Sequence, residues 1–225
     1  MNCLRRVLLL CVSVLALQAV ATAAPRLQVA PDNDPDLLHG WAAYTAADFG
    51  TALAHYRKAA ARNHALAQFN LAVMLVQGEG TPADPKEGLV WLRKAADNGL
   101  ARAQYTLAEF FDRGEHVTKS TTEATAWYRK AAEQGWRDAQ VSLATQYFLG
   151  RGAQQDYKEA ARWYERAAEQ GDAGACYIVA SMYEHGHGVA RNLEHALFWY
   201  TQAAARGDRS AEFKAREMHR LLRAK

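Results

Sequence analysis

Residues 127–140 read WYRKAAEQGWRDAQ, and residues 163–176, which begin 36 positions later, read WYERAAEQGDAGAC. The same period runs through most of the chain. The alanine pair at 131–132 returns in four more places, at 59–60, 95–96, 167–168 and 203–204. Five copies in one register are not expected by chance, and a period of this size is typical of a solenoid built from helix pairs.

One column of the repeat predicts where the first helix of each copy begins. Its members are Asp48, Asp84, Ser120, Asp156 and Asn192. All have a side-chain oxygen that can accept a hydrogen bond from the free N–H groups at a helix start. Glutamate stands three residues after three of these caps, at Glu87, Glu123 and Glu159. That spacing predicts capping boxes, in which the glutamate carboxylate accepts the N–H of the capping residue.

Further columns predict the helix end and a second helix. The end is marked by Asn63, Gly99, Gly135, Gly171 and Gly207, residue types that accept the left-handed backbone of a helix C-terminus. Beyond it, Ala67, Ala103, Ala139, Ala175 and Ala211 share one column, and Leu71, Leu107, Leu143 and Val179 share another, four residues later. This spacing lines one helical face. A glycine-rich turn then leads to the next cap.

The second helix of the fifth copy departs from this pattern. Lys214, Arg216 and Glu217 occupy positions that are mostly small or apolar in the earlier copies. A terminal repeat needs a polar outer face because no neighbouring repeat covers it. The sequence therefore predicts that these three side chains face solvent.

The columns A-x-x-WYRKAA-x-x-G, then A-Q-x-x-LA, then G-x-G, resemble the Sel1-like repeat family, a relative of the tetratricopeptide repeats, from about residue 48 to residue 225. The resemblance implies an all-α fold, a right-handed α-solenoid of five antiparallel helix pairs that acts as an adaptor for protein assembly or signalling. Some cysteine-rich secreted members staple each pair with a disulfide and are linked to penicillin binding or β-lactam hydrolysis. Those stapling cysteines are absent from this chain.

The N-terminal residues have the three parts of a secretory signal peptide: Arg5 and Arg6, an apolar run, and the small residues Ala21-Thr22-Ala23. Cleavage after Ala23 predicts a periplasmic or secreted protein without a membrane anchor, and an uncleaved anchor is the competing interpretation. The predicted divisions are a signal peptide (1–23), a linker (24–33), an N-terminal capping helix (34–47) begun by Asp34, and repeats at 48–83, 84–119, 120–155, 156–191 and 192–225.

Charge and cysteine content exclude several classes of protein. Without residues 1–23 the chain has 25 basic and 24 acidic residues, so a clustered basic face for nucleic acid is not expected. Cys3 and Cys11 leave with the signal peptide, and Cys176 is then the only cysteine, so no intramolecular disulfide is expected. Cys176 shares a column with three glutamines on the second helix, which favours a buried inert thiol over a nucleophile.

The sequence contains none of the common serine-hydrolase or zinc-protease motifs, and it predicts neither a cofactor nor a metal. His185 and His187, with Glu184 and His195 nearby, are possible metal ligands, but their columns vary as in a surface turn. We therefore expect a protein without enzymatic activity. The alternative is a secreted hydrolase that acts on β-lactams or cell-wall peptides.

The residues that differ between copies point to a binding surface. By resemblance to tetratricopeptide repeats, the first helices line a concave groove, in which we expect Arg57, Lys86, Leu89, Arg93, Arg129, Lys158 and Glu165. This mixed surface suits an extended acidic or amphipathic peptide. Alternatively, Arg93 and Arg129 only pair with Asp97 and Glu133 on their own helices. The predicted function is that of a monomeric, exported adaptor that binds a protein or peptide partner in this groove.

Overall fold

The computed structural model describes residues 33–224, in which eleven α-helices follow one another and no strand occurs. The helices are α1 Pro35–Thr45, α2 Phe49–Ala61, α3 Ala65–Gln77, α4 Pro85–Asp97, α5 Ala101–Arg113, α6 Thr121–Glu133, α7 Arg137–Leu149, α8 Tyr157–Glu169, α9 Ala173–His185, α10 Leu193–Ala205 and α11 Arg209–Arg223. None of them is both long and apolar enough to cross a membrane. The predicted signal peptide, and the predicted linker except for Asn33, lie outside the described residues.

The first helices of the five copies are α2, α4, α6, α8 and α10, and each begins after the cap that the sequence predicts. Each capping side chain accepts the N–H of the residue three positions later, at 2.9 to 3.2 Å. Asp34 caps α1 in the same way. The left-handed helix ends are also confirmed, since φ is 66° at Asn63 and between 85° and 91° at the four glycines of its column. These elements follow from local rules that the sequence displays.

The predicted capping boxes are only half formed. The N–H of Ser120 donates to the carbonyl oxygen of Phe111 on the preceding helix, at 2.9 Å, and not to Glu123. Equivalent bonds join Asp84 to Leu75, Asp156 to Tyr147 and Asn192 to Tyr183. The prediction of a reciprocal box was wrong because this N–H ties the start of each first helix to the second helix before it.

The core runs along the series of helices as a seam of small residues. The alanine column of the second helices is at most 1% exposed in all five copies. Each of the first four second helices packs most extensively on the first helix of the following copy, as α3 does on α4, and α11 packs on α10 of its own copy. Gly88 shows how close this approach is, because a Cβ at that position would lie 3.0 Å from the carbonyl oxygen of Ala72. The Trp and Tyr columns fill the remaining space, from fully buried Tyr164 to half-buried Trp91.

A ladder of amide side chains connects successive copies. Gln104 donates from Nε2 to the carbonyl oxygen of Ala96 at 3.0 Å, and its Oε1 accepts a hydrogen bond from Gln134 of the next copy at 2.8 Å. Gln68 and Gln140 bond in the same way to Ala60 and Asn98, and to Ala132 and Gln170. Cys176 replaces the glutamine in the fourth copy. Its side chain is fully buried, as predicted, and burial raises the pKa of the thiol, which makes a nucleophilic role unfavourable.

The last helix, α11, corrects one expectation. Arg216 and Glu217 are exposed or partly exposed, but Lys214 turns inward. Its Nζ lies 3.0 Å from Oε1 of Glu184 on α9, and the hydroxyl of Tyr200 donates to Oε2 of Glu184 at 2.7 Å. Burial is the largest single influence and opposes ionisation of Glu184, but these two hydrogen bonds and the positive charge of Lys214 together outweigh it and hold the pKa of the carboxyl below its ordinary value. Lys214 therefore anchors α11 to the solenoid.

Replacing Glu184 by glutamine is expected to lower the free energy of unfolding at neutral pH by about 1 to 2 kcal/mol, since it removes a charged hydrogen-bond acceptor. Because the folded-state pKa of Glu184 is lowered, its contribution is present above the unfolded-state pKa and is lost as the pH falls through the folded-state value. Urea unfolding should therefore show a difference between E184Q and the native chain that shrinks as the pH is lowered below the ordinary range of a glutamate carboxyl. The control is E217Q, at a more exposed partner of Lys214. A difference that does not change with pH would contradict this account.

Candidate functional site

The exposed side of the first helices carries a row of arginines, Arg57, Arg93 and Arg129, which we call the arginine row. They occupy one column of the repeat, on α2, α4 and α6. In the fourth copy the same column holds Glu165, which is half-buried and accepts a hydrogen bond from the Tyr183 hydroxyl at 3.2 Å. The row therefore extends over three copies and ends at the fourth.

Two members of the row lie over aromatic rings of the second helix in the same copy. The guanidinium carbon of Arg93 is 5.8 Å from the centre of the Phe111 ring, and that of Arg129 is 5.9 Å from the centre of the Tyr147 ring. Nη2 of Arg129 also donates to the Tyr147 hydroxyl at 2.8 Å. Cation–π contact favours these positions. The rings themselves stand on fixed backbone, because the carbonyl groups of Phe111 and Tyr147 accept the N–H of the next cap.

These two guanidinium groups are not neutralised by a neighbouring carboxylate. Within residues 33–224, neither Arg93 nor Arg129 lies at ion-pair distance from an acidic side chain, so the alternative pairs with Asp97 and Glu133 do not form. Arg57 differs, since its Nη2 is 3.3 Å from Oε2 of Glu87 on α4. The arrangement leaves two oriented cations whose hydrogen-bonding groups can bind an anionic ligand.

A second row, made of Ala54, Val90 and Ala126, runs one helical turn before the arginine row on the same three helices; we call it the small row. All three residues are exposed, and Val90 is 54% exposed. In the fourth copy Arg162 takes this position. In the fourth copy, therefore, the small residue of one row becomes arginine and the arginine of the other row becomes glutamate. Together they form an apolar strip beside a cationic strip, and both strips have the same length.

The other predicted site residues lie around these rows. Lys86 and Lys158 are exposed near the starts of α4 and α8. Leu89 is half-buried and packs on the core, so it contributes to the floor of the surface and not to an open row. The sequence reasoning did not identify Val90, Phe111 or Tyr147. A signal was present for the two rings, since aromatic residues recur at 111, 147 and 183.

Lysines on the same helices are less available to bind a ligand, because they lie over tryptophan rings. Nζ of Lys94 lies 4.1 Å from the centre of the Trp91 ring, and Nζ of Lys130 lies 3.7 Å from that of Trp127. These cations cover the open faces of the tryptophan column, whose other faces pack on the core. They protect apolar surface, which makes them poorer candidates for ligand binding than Arg93 and Arg129.

The histidines considered as metal ligands contact different groups and do not converge on one point. No group of three or more potential metal-binding side chains occurs in the described part of the chain. His185 Nδ1 is 2.9 Å from the carbonyl oxygen of Ser181. Burial and the neighbouring His185 lower the pKa of His187. His185 is the last residue of α9, and His187 lies in the turn that follows, next to the Tyr157 ring.

A family model described as Sel1 repeat matches residues 37–64, 65–100, 101–136, 137–172 and 173–208. The chain belongs to the Sel1 repeat family. Apart from the first match, which combines α1 and α2, each match joins a second helix to the following first helix. That is the more extensively packed pair, so the family repeat begins half a unit away from the predicted divisions. Sel1 repeat proteins generally mediate protein–protein interactions.

Two solved Sel1 repeat structures are similar to this chain. A protective antigen of uropathogenic Escherichia coli strains is 34% identical, with a TM-score of 0.74 over 81% of this chain and 40% of the antigen chain. A Sel1 repeat protein from Oxalobacter formigenes is 33% identical, with a TM-score of 0.74 over 79% of this chain and 73% of its own. This chain thus matches less than half of the antigen. No curated protein matches the sequence.

Proposed function

We propose that this Sel1 repeat protein is an exported, monomeric adaptor that binds an acidic segment of a protein partner on the arginine row. The observation that carries the proposal is the pair Arg93 and Arg129, which are held over aromatic rings without a carboxylate partner among the described residues. Family membership supports a protein partner in general terms. The chemistry of the row narrows the partner to one that presents carboxylates, which guanidinium groups bind through two hydrogen bonds.

The experiment is affinity capture from the envelope fraction after crosslinking, with the native chain and the double variant R93E/R129E. Reversing both charges should reduce the recovered partner by about tenfold or more, because a charge-assisted hydrogen bond is worth about 1.5 to 3 kcal/mol. The control is R137E/R209E, which changes the net charge equally at the exposed first residues of α7 and α11. Equal capture by both double variants, each folded by circular dichroism, would refute the proposal.

The proposed role is not enzymatic. Purified protein should not turn over nitrocefin, the test for the β-lactam hydrolase alternative. Rapid hydrolysis that a single substitution on the first helices abolishes would favour the enzyme instead.

Export is the remaining part of the proposal. It rests on the basic, apolar and small-residue pattern of residues 1–23. N-terminal sequencing of the chain recovered from the periplasm or the medium should begin at Ala24. An uncut chain in the membrane fraction would show that the segment is an anchor. The proposed monomeric state is tested by light scattering, which should give the mass of one copy of the mature chain.

A further inference from the structure

We propose that one side of α11 binds the surface of a membrane that contains anionic phospholipids. This side, which we call the α11 face, consists of Phe213, Arg209, Arg216, Arg220 and Arg223. The proposal does not depend on the arginine row, which lies on the first helices of the first three copies. It concerns a reversible contact of the folded chain and not a helix that spans the membrane.

The α11 face lies opposite the side of α11 that packs on the solenoid. Ala211 and Met218 are each 0% exposed and mark the packed side. Because a helix has 3.6 residues per turn, Phe213 and the four arginines project from the opposite side, and all five residues are exposed. Phe213 is 64% exposed, more than any other large hydrophobic residue in the described part of the chain. The α11 face therefore presents an aromatic ring among four guanidinium groups.

Phe213 shares a column with residues that pack on the following copy. In the second copy the centre of the Tyr105 ring lies 5.7 Å from that of Tyr128 on the next first helix, and in the fourth copy Tyr177 lies 5.2 Å from Tyr200 in the same way. The alanine column is buried in all five copies, so α11 keeps the orientation of those second helices. Within residues 33–224 no further helix covers Phe213, and its ring is open to a ligand.

Arg216 makes a second copy of the chain a poor occupant of this face. Its column holds alanine in the other four copies, and those alanines are at most 2% exposed. A helix that approached α11 as closely as α4 approaches α3 would meet the Arg216 guanidinium. Two α11 faces brought together would also place like charges opposite one another. Both contacts act against a second copy.

The charge of the α11 face selects an anionic ligand. Arg216 pairs with Glu212, but Arg209, Arg220 and Arg223 lie at ion-pair distance from no acidic side chain among the described residues. α11 contains five basic and two acidic residues of the 25 basic and 24 acidic residues that follow residue 23, which leaves 20 basic and 22 acidic residues elsewhere. The excess positive charge is therefore concentrated on one helix, where it attracts an anionic surface.

The position of Phe213 favours a bilayer over an acidic segment of a protein. Residues that contribute most to protein–protein binding usually lie in well-packed pockets from which water is excluded. Phe213 instead protrudes from a single helix, and Leu221 at the edge of the face is 45% exposed. Helices that lie in a membrane interface combine apolar side chains with basic ones that are attracted to anionic lipids. Arginine suits this role because its guanidinium group binds a phosphate through two hydrogen bonds.

The first test is co-sedimentation with vesicles, using the chain recovered after export so that all variants have the same N-terminus. One set of vesicles is phosphatidylcholine alone, and the other is an equal mixture of phosphatidylcholine and phosphatidylglycerol. We expect binding to the mixed vesicles only. R220Q/R223Q should weaken this binding by about tenfold or more, because each arginine near an anionic membrane strengthens binding by about fivefold. The control R137Q/R162Q removes the same charge from exposed arginines of α7 and α8 and should retain most of the binding.

The second test examines whether the side chain at position 213 enters the bilayer. F213W places a fluorescent side chain there, and lipids brominated on their acyl chains quench a tryptophan that inserts among them. Mixed vesicles with brominated lipid should quench the emission that F213W adds to that of the native chain. L38W is the matched control, since Leu38 on α1 is 46% exposed, and its added emission should stay unchanged.

With every variant folded by circular dichroism, each result supports or overturns the membrane contact. Equal binding of R220Q/R223Q and R137Q/R162Q, or equal quenching of F213W and L38W, overturns it. Absence of binding to the mixed vesicles also overturns it, and if R220Q/R223Q then reduces partner capture, the α11 face binds an acidic protein instead. Partner capture by R93E/R129E tests the arginine row separately, so either proposal can fail without the other.

Discussion

Replacing Ala144 by arginine is expected to lower the free energy of unfolding by about 4 kcal/mol or more, since it buries an unpaired charge. Ala144 lies on α7 and is 0% exposed, and Ala160 on the neighbouring helix α8 is equally buried. Among the described residues no carboxylate side chain is fully buried, so a guanidinium at this position would have no buried partner. Urea unfolding followed by circular dichroism measures the loss.

The chain contains its own control for this substitution. Arg216 occupies the column of Ala144 in the last copy, where its side chain is 72% exposed and pairs with Glu212. R216A should therefore change the free energy of unfolding by less than about 0.5 kcal/mol, as surface substitutions usually do. The same two residue types are exchanged in opposite directions, so any difference comes from burial. A loss below about 1 kcal/mol for A144R would show that the seam can open and would refute the packing described for α7 and α8.

The second large effect is expected at Gly152, in the turn between α7 and α8. Its φ is 68°, and a Cβ at this position would lie 2.1 Å from the carbonyl oxygen of Thr121 and 2.4 Å from Oγ1 of Thr125. G152A should lower the free energy of unfolding by about 3 kcal/mol or more, because the turn must shift and alanine must also adopt the strained left-handed backbone. Thermal and urea unfolding will measure the cost.

Gly135 separates the two contributions in G152A. It has a φ of 85°, but a Cβ there would have no heavy atom within 4 Å outside its immediate neighbours. G135A should therefore cost only the left-handed strain, about 1 to 2 kcal/mol. If G152A and G135A lower the free energy of unfolding equally, the close approach of the turn to α6 does not constrain the fold.

Local rules explain why much of the fold could be predicted from the sequence. Ser120 is a cap because its side chain can reach an N–H three residues away, and this depends only on neighbouring backbone. Asn63 and the glycines of its column end helices because few residue types accept a positive φ. The alanine column marks close helix approach in every copy, so repetition itself shows that the position is buried.

The candidate site was only partly predictable. Arg93 and Arg129 were identified because they vary in a repeat whose structural columns do not vary. Their aromatic partners lie 18 residues away on another helix, and that distance is bridged only when two helices pack at a particular angle. Val90 is recognisable as surface only after the opposite side of α4 is known to be buried.

The helix boundaries, the number of copies and the small-residue seam can be read from the chain, because each depends on contacts within a turn or on a repeated pattern. The hydrogen-bond and cation–π partners of the polar side chains depend instead on how the helices pack. The N–H of Ser120 bonds to the preceding helix, Lys214 turns inward to Glu184, and Arg129 lies on Tyr147. In each case several partners are in reach along the chain, and packing of the helices brings one of them to bonding distance.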